Sequence, residues 1–330
     1  MSPRPGGRAI AVLAAKVALS VGLMSVLIAR IPLASVAESL RAARPEWLAA
    51  AFGLLLLSNL VGAYQWSQLL VAVGIRIPLW KVCAYYHVGL FFNNFLPANI
   101  GGDLSRIADA SRHGETRAAA LSTVLLDRMI GTLALAGLAL VTTLPAIDAF
   151  HLRVVYLALV AFFAFSVTLV WVVFHPALLP SLERILGRVG LGGWKPQLDD
   201  LAQRLRGFRG QRALFLKLLS VALAVQVARI LVHALVARAL GLEIQLAYFF
   251  LFVPLLAVIV SLPISFNGIG VREGAGVILF GLVGVSRAQA FSLQFTTYLV
   301  AVAVSLLGGV VFLARLPGRR AGARSMAESS

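Results

Sequence analysis

The sequence is poor in charge, and above all in acidic charge. Only 13% of its 330 residues are charged, and 13 acidic residues stand against 29 basic ones. A soluble domain usually has about 25% charged residues. This composition, with 60% hydrophobic residues and a mean hydropathy of +0.92, therefore excludes an ordinary soluble protein. It predicts an all-α, polytopic integral membrane protein.

Cysteine is almost absent, and familiar catalytic or nucleotide-binding motifs are missing. The single cysteine, Cys83, excludes an intrachain disulfide and a cysteine-based metal site. The five histidines form no HExxH pair, and there is no GxxxxGK[ST] loop. We therefore expect no metal, no cofactor and no catalytic residue. The net charge of +16 is expected to face anionic lipid headgroups, because no basic module interleaved with aromatic residues indicates nucleic acid.

Apolar runs long enough to cross the membrane occur six times. About 20 residues are needed for a helix that spans the hydrocarbon. Two shorter apolar segments, 80–96 and 247–266, end in proline, glycine and asparagine. The six expected spans are 10–29, 47–72, 117–141, 151–174, 213–240 and 287–314.

Loop charge predicts the orientation. The basic loop 176–212 holds seven lysines and arginines, whereas loop 142–153 holds only Arg153. The positive-inside rule places the first loop in the cytoplasm. Eight full crossings from a cytoplasmic N-terminus would put it outside. Six spans plus two re-entrant broken-helix hairpins keep it inside, and we expect a plasma-membrane protein with both termini in the cytoplasm.

The two interrupted segments belong to an internal repeat. Three pairs of landmarks have nearly the same separation along the chain: Gly74 and Gly241, Pro97 and Pro263, and Asn99 and Asn267. We expect one membrane domain over 1–330, in which about 47–141 and 213–314 are inverted repeats. Interrupted segments at matching positions of such repeats indicate a transporter binding site at the repeat interface. The alternative is a pair of ordinary helices kinked by proline.

The interrupted segments carry the first set of candidate site residues. Their glycines are expected to open new helices with free backbone N–H groups, which attract an anion together with the helix dipole. An arginine one turn later adds paired donors for phosphate oxygens. Alternatively, Asp103 only caps its helix, and Arg272 and Glu273 only pair with neighbours. Asn93 and Asn94 fit either backbone capping inside the broken hairpin or contact with a headgroup. The candidates are Asn93, Asn94, Asn99, Gly101, Gly102, Asp103, Arg106, Asn267, Gly268, Gly270, Arg272 and Glu273.

Polar residues near the middle of apolar spans form the second set. A charge at the bilayer centre costs about 3 kcal/mol, so such residues normally face the bundle interior. Alternatively, Asp127 or Glu273 neutralises Arg128 or Arg229 and so locks helices together, and for Asp127 we expect this structural role. Asn59 is the expected repeat partner of Gln226, because the same offset along the chain separates them. The candidates are Asp127, Arg128, Gln226, Arg229 and His233, and the last three share one helix face.

These motifs resemble a known family. The stretches NNFLPANIGGDLSR (93–106), LDRMIG (126–131) and PISFNGIGVREG (263–274) are similar to the flippase-like membrane domain of lysylphosphatidylglycerol synthases and of stand-alone bacterial and archaeal proteins. The resemblance covers about 10–315 and implies a domain that moves lipids or lipid-linked sugars between leaflets. No soluble aminoacyl-transferase domain follows it, so synthase activity is not expected. The implied site residues are Asn99, Gly101, Gly102, Asp103, Arg106, Arg128, Asn267, Gly270, Arg272 and Glu273.

Three functions remain open from the sequence. The first is a translocator for a lipid with an anionic headgroup. The second is an intramembrane transferase acting on a phospholipid or polyprenyl-phosphate headgroup, with Asp103 or Glu273 as base. The third is a scaffold that docks a glycosyltransferase or other lipid-modifying enzyme through the basic loop 176–212.

Overall fold

The fold is all-α in the residues that the structure describes. The computed structural model describes residues 33–95, 100–113, 116–174, 211–262 and 268–328, with positions 21, 22 and 25. No strand occurs in these ranges. The helices are α1 (Leu33–Arg41), α2 (Pro45–Ala72), α3 (Leu79–Phe95), α4 (Ile100–Ala110), α5 (Arg117–Thr143), α6 (Arg153–Phe174), α7 (Arg212–Ala239), α8 (Leu246–Ser261), α9 (Val271–Gly281) and α10 (Arg287–Glu328).

Five of these helices are long and apolar enough to cross a membrane: α2, α5, α6, α7 and α10. They coincide with five of the six expected spans, which confirms a polytopic helical membrane protein. The remaining span, 10–29, falls almost entirely outside the described residues, as does most of the basic loop 176–212. Helix α1 was not expected from the sequence. It packs on α10, where Val36 and Phe291 form a small buried apolar cluster.

Both interrupted segments form two short helices that fold back on each other. Helix α3 ends at Phe95 and α4 begins at Ile100, and the two helices pack together. They run antiparallel, because Asn93 lies beside Gly102 and Gly89 lies beside Arg106. In the same way α8 packs against α9, and Val260 lies beside Gly268. The expected turns, with Pro97 and Pro263, fall outside the described residues.

The two halves contain the same order of helices. Each half has a long helix, two short helices and another long helix. Helices α2 and α7 run antiparallel, since Lys217 Nζ donates to Gln68 Oε1 at 3.3 Å near one end and Arg238 lies 5.2 Å from the Trp47 ring near the other. The contact of α3 with α10 has its counterpart in the contact of α8 with α5. Inverted repeats require this antiparallel pairing of equivalent helices.

Small residues allow several of these helices to approach closely. A Cβ atom at Gly308 of α10 would collide with the carbonyl group of His87 in α3. A Cβ at Gly102 would collide with the carbonyl oxygen of Gly89, inside the first helical pair. Glycine at such contacts lets backbones meet where the hydrophobic effect contributes little, as in lipid. Backbone-level packing therefore joins α10 to α3, between the two halves, and α4 to α3 within the first half.

Candidate functional site

A cavity of about 550 Å³ lies between the two halves. Its wall is formed by the four long helices of the two halves (α2, α5, α7 and α10) and by the four short helices α3, α4, α8 and α9. Polar groups and leucine and valine side chains both line it. The size suits a small ligand or a lipid headgroup. Nine of the candidate residues line it: Asn93, Asn94, Arg106, Asp127, Arg128, Gln226, Arg229, His233 and Arg272.

Arg106 contacts three side chains of the first half. Its Nη2 donates to Asp127 Oδ2 at 2.7 Å, which links α4 to α5. The guanidinium carbon also lies 4.3 Å from the Trp66 ring centroid and 4.8 Å from that of Tyr86. Gln65 Nε2 donates to the other carboxylate oxygen of Asp127 at 2.9 Å. Both carboxylate oxygens of Asp127 are therefore satisfied, as a buried ion pair requires, whereas Arg106 Nε is buried without a hydrogen-bond partner among the described residues.

Arg128 belongs to a second ion pair in the same half. Its Nε and Nη2 each donate at 3.0 Å to the carboxylate of Asp103, one nitrogen to each oxygen. The Arg128 side chain is 48% exposed, compared with 6% for that of Arg106. Arg128 therefore has a paired charge but presents part of its guanidinium to the cavity.

The glycine-rich helix starts do not present all their N–H groups to a ligand. The N–H of Gly102 donates to Asn93 Oδ1 at 2.9 Å, and the N–H of Gly270 donates to Glu273 Oε2 at 2.7 Å. The expectation of free N–H groups is therefore wrong at Gly102 and Gly270. The reason is that a buried donor without water must find an acceptor in the protein, and each pair of helices supplies one from its own side chains.

The second half contributes Arg229, His233 and Arg272 to the cavity. Arg272 lies 4.7 Å from the ring centroid of Tyr298 in α10. The His233 Nδ1 atom shares a hydrogen bond of 2.9 Å with the carbonyl oxygen of Arg229 one turn earlier. Gln226 Nε2 donates at 3.2 Å to the carbonyl oxygen of Gly131, which joins α7 to α5. The predicted polar face of α7 therefore points into the space between the halves.

The remaining candidates lie around the cavity or outside the described residues. Asp103 and Glu273 do not line the cavity: Asp103 accepts hydrogen bonds from Arg128, and Glu273 accepts one from the N–H of Gly270. Asp127 was expected to neutralise Arg128 or Arg229, but it pairs with Arg106 instead. Glu273 is 1% exposed, and in the described ranges it forms no ion pair with Arg128 or Arg229. The glycines Gly101, Gly102, Gly268 and Gly270 are not part of the cavity wall, although Gly102 lies against Asn93 and Gly268 lies beside Val260, both of which are. Asn99 and Asn267 fall outside the described residues.

Sequence reasoning did not identify Gln65, Tyr86 and Tyr298, which also line the cavity. A signal for Gln65 was present. Asn59 and Gly62 precede it on one face of α2, and the repeat offset pairs them with Gln226 and Arg229. The polar face of α7 therefore has a counterpart on α2. Tyr86 and Tyr298 gave no such signal, because an isolated tyrosine in an apolar helix is also typical of a membrane interface.

A second polar cluster lies away from the cavity, at the end of α4. Arg315 Nη1 lies 3.6 Å from Asp109 Oδ2, and its guanidinium lies 4.5 Å from the Tyr85 ring centroid. The Tyr85 hydroxyl and His113 Nε2 are 2.9 Å apart. This cluster connects α10 to the first pair of short helices. In the described part of the chain, no three histidine, cysteine or acidic side chains are arranged to hold a metal ion.

Comparison with known proteins identifies the family. The family model described as the lysylphosphatidylglycerol synthase TM region matches residues 13–309. The chain is also 26% identical over 282 residues to the UPF0104 membrane protein PH1989 of Pyrococcus horikoshii, an alignment that covers 78% of this chain and 83% of that protein. The chain belongs to the lysylphosphatidylglycerol synthase transmembrane-region family, which agrees with the resemblance of its motifs.

Proposed function

We propose that this member of the family moves a lipid with an anionic headgroup between the two leaflets of the plasma membrane, without changing it covalently. The observation that carries the proposal is the cavity between the halves, whose wall contains four arginines and one carboxylate, that of Asp127. An unpaired charge in a low-dielectric interior is very costly. Such an excess of cations is therefore best explained by an anionic ligand.

The apolar part of the wall supports a lipid rather than a free solute. Leu55, Leu90, Leu135 and Val260 line the same cavity as the arginines. A headgroup bound to the arginines would leave its acyl or isoprenoid chains next to these side chains and the surrounding bilayer. In this arrangement only the headgroup has to leave water, and the cavity replaces its lost hydrogen bonds.

The antiparallel halves support a transport cycle with the site near mid-depth. With loop 176–212 and both termini in the cytoplasm, the α3–α4 pair enters from the cytoplasmic side and the α8–α9 pair from the outside. Rocking one half against the other would then open the same site to each leaflet in turn. The basic loop is also a suitable surface for a partner enzyme that makes or consumes the lipid.

Reconstitution tests this function. Purified protein is placed in vesicles of phosphatidylcholine and phosphatidylglycerol that contain a trace of fluorescent (NBD-labelled) phosphatidylglycerol, and the outer-leaflet label is bleached with dithionite. Exchange between leaflets is expected to bleach nearly all of the label, whereas protein-free vesicles retain about half. Thin-layer chromatography of the recovered lipid should show it unchanged. Retention of half of the label in the presence of protein, or a chemically altered lipid, would reject the proposal.

A further inference from the structure

The first pair of short helices, α3 and α4, is attached to its neighbours by ion pairs. Two ion pairs join α4 to α5, and a third joins α4 to α10. The three carboxylates are only 4% to 22% exposed, so little water can replace the arginines if these helices separate. Breaking a buried ion pair is costly, because it leaves an uncompensated charge. The pairs are Arg106–Asp127, Arg128–Asp103 and Arg315–Asp109, at 2.7, 3.0 and 3.6 Å.

Backbone contacts attach the first pair further. Gly89 of α3 lies against Gly102 of α4, and the backbone of His87 in α3 lies against Gly308 of α10. The second pair, α8 and α9, lacks an equivalent of Gly89, because the repeat offset places Leu256 of α8 at that position. Small residues are what allow helix backbones to approach closely in a membrane. The first pair is therefore attached at the backbone in a way that α8 cannot reproduce.

Side-chain packing, in contrast, holds the second pair. Helix α8 has no charged residue, and it packs on α5 within an apolar cluster. Phe249 and Phe252 of α8 lie 5.6 and 5.3 Å from Phe280 of α9, and these three buried rings make the two helices one unit. Lipid chains are as apolar as the side chains of this cluster. Movement of the unit therefore exchanges contacts with α5 for contacts with lipid and separates no charges there.

The contact of α9 with α10 includes a buried amide that is not hydrogen-bonded. The Gln294 side chain of α10 lies against Gly276 of α9. Gln294 is fully buried, and neither of its amide atoms has a hydrogen-bond partner in the described part of the chain. Such a group costs free energy, so a movement of α9 that lets water reach Gln294 is favoured. One turn later on α10, the Tyr298 ring lies 4.7 Å from the guanidinium carbon of Arg272 in α9.

The connections to the long helices differ as well. Gly241 precedes α8 and Gly284 follows α9, with φ angles of 69° and 81°, and a Cβ atom at either position would meet nothing within 4 Å. A few loop residues of this kind are sufficient to absorb a hinge movement. After α4, in contrast, His113 Nε2 lies 2.9 Å from the hydroxyl of Tyr85 in α3. The second pair therefore has hinge positions at both ends, whereas the end of the first pair is tied down.

From these differences we infer that the α8–α9 pair is the moving gate of the cavity, that the α3–α4 pair stays fixed to α5 and α10, and that the absence of a carboxylate at Gln294 leaves the gate free to move. Val260, Ser261 and Arg272 belong to the gate and line the cavity, so its movement opens the wall. The rocking of one half against the other is then carried by this pair. The inference rests on the proposed function only for what passes the gate.

Distances between spin labels test the gate without any transport assay. In a background with Cys83→Ser, Leu262→Cys at the end of α8 and Leu104→Cys on α4 are each combined with Leu216→Cys on α7, and all three leucines are exposed. Double electron–electron resonance is recorded in nanodiscs with and without phosphatidylglycerol. We expect two distances for the Leu262 label, about 5 Å apart as for a shift by one helical turn, and a single distance for the Leu104 label. One distance for Leu262 in both lipids, or two for Leu104, would overturn the inference.

The role of Gln294 is tested with the same labels. Gln294→Glu places a carboxylate one turn from Tyr298, on the face of α10 that Arg272 contacts, and the new ion pair should reduce the two Leu262 distances to one. Gln294→Leu is the matched control, because it removes the amide without adding a charge, and it should keep both distances. Two distances in the glutamate variant, or one in the leucine variant, would contradict this role. Two distances in a protein that exchanges no lipid between leaflets would reject transport and leave the gate in place.

Discussion

The Arg106–Asp127 ion pair joins α4 to α5 across 2.7 Å, and its two side chains are only 6% and 11% exposed. A second ion pair of similar length, Arg153–Asp148 at 3.1 Å, has side chains that are 79% and 84% exposed. The two pairs have the same chemistry in opposite environments. Comparison of their variants therefore separates the effect of burial from the effect of charge.

Asp127→Asn is expected to destabilise the protein strongly. It removes the nearest counter-charge of the buried Arg106 guanidinium and leaves only Asp103, 4.0 Å away. Breaking a buried ion pair typically costs about 3–5 kcal/mol. Asp148→Asn removes an exposed pair, which typically contributes about 1 kcal/mol or less. Thermal unfolding of both variants in the same detergent provides the measurement. If both unfold at the wild-type temperature, the buried pair does not hold the first half together.

The pairing of these residues shows where sequence reasoning stops. Asp127 and Arg128 were both recognised as interior charges, because charged residues are costly in an apolar span. Adjacent residues of a helix, however, point about 100° apart, so they meet different neighbours. Asp127 meets Arg106 and Arg128 meets Asp103. Only the packing of α4 on α5 decides this, and no periodicity in either segment encodes it.

The same limit explains two other differences from the sequence analysis. Helix α1 has only nine residues, too few for a membrane span, and its packing on α10 is a tertiary contact. The N–H groups of Gly102 and Gly270 were expected to be free, although the sequence left open whether Asn93 caps the backbone and whether Glu273 bonds to a neighbour. The structure shows that both side chains accept from these N–H groups. In contrast, the five long helices followed directly from apolar length.

Gly308→Ala is expected to disturb the contact of α10 with α3. The added methyl group would collide with the carbonyl group of His87, and overpacking of this kind typically costs about 1–3 kcal/mol. Gly53→Ala in α2 is the matched control, since a Cβ there meets nothing within 4 Å. That control should be neutral or slightly stabilising, because alanine favours a helix by about 1 kcal/mol over glycine. Equal unfolding temperatures for the two variants would contradict the close contact.

Glu273→Ala is expected to loosen the start of α9. The variant loses the acceptor for the N–H of Gly270, and the loss of such a cap costs about 0.5–2 kcal/mol. Glu273→Gln has a side chain of the same length and keeps an oxygen that can accept from the N–H of Gly270, so most of the stability should be retained. Hydrogen exchange over residues 268–281 measures the effect locally. Equal exchange in the alanine and glutamine variants would mean that the charge of Glu273, rather than its hydrogen bond, is what matters.

The re-entrant topology predicts which loops share a side of the membrane. In a background with Cys83→Ser, single cysteines at the exposed positions Arg76 and Arg112 flank the α3–α4 pair, and Glu243 and Ser286 flank the α8–α9 pair. If each pair enters and returns, Arg76→Cys and Arg112→Cys should react only after the cytoplasmic face is opened to a membrane-impermeant maleimide. Glu243→Cys and Ser286→Cys should both react in intact cells. A segment that crosses fully would instead place its two flanking cysteines on opposite sides. Such a split labelling pattern within either pair would exclude the inverted hairpins, and with them a cavity that both leaflets reach in turn.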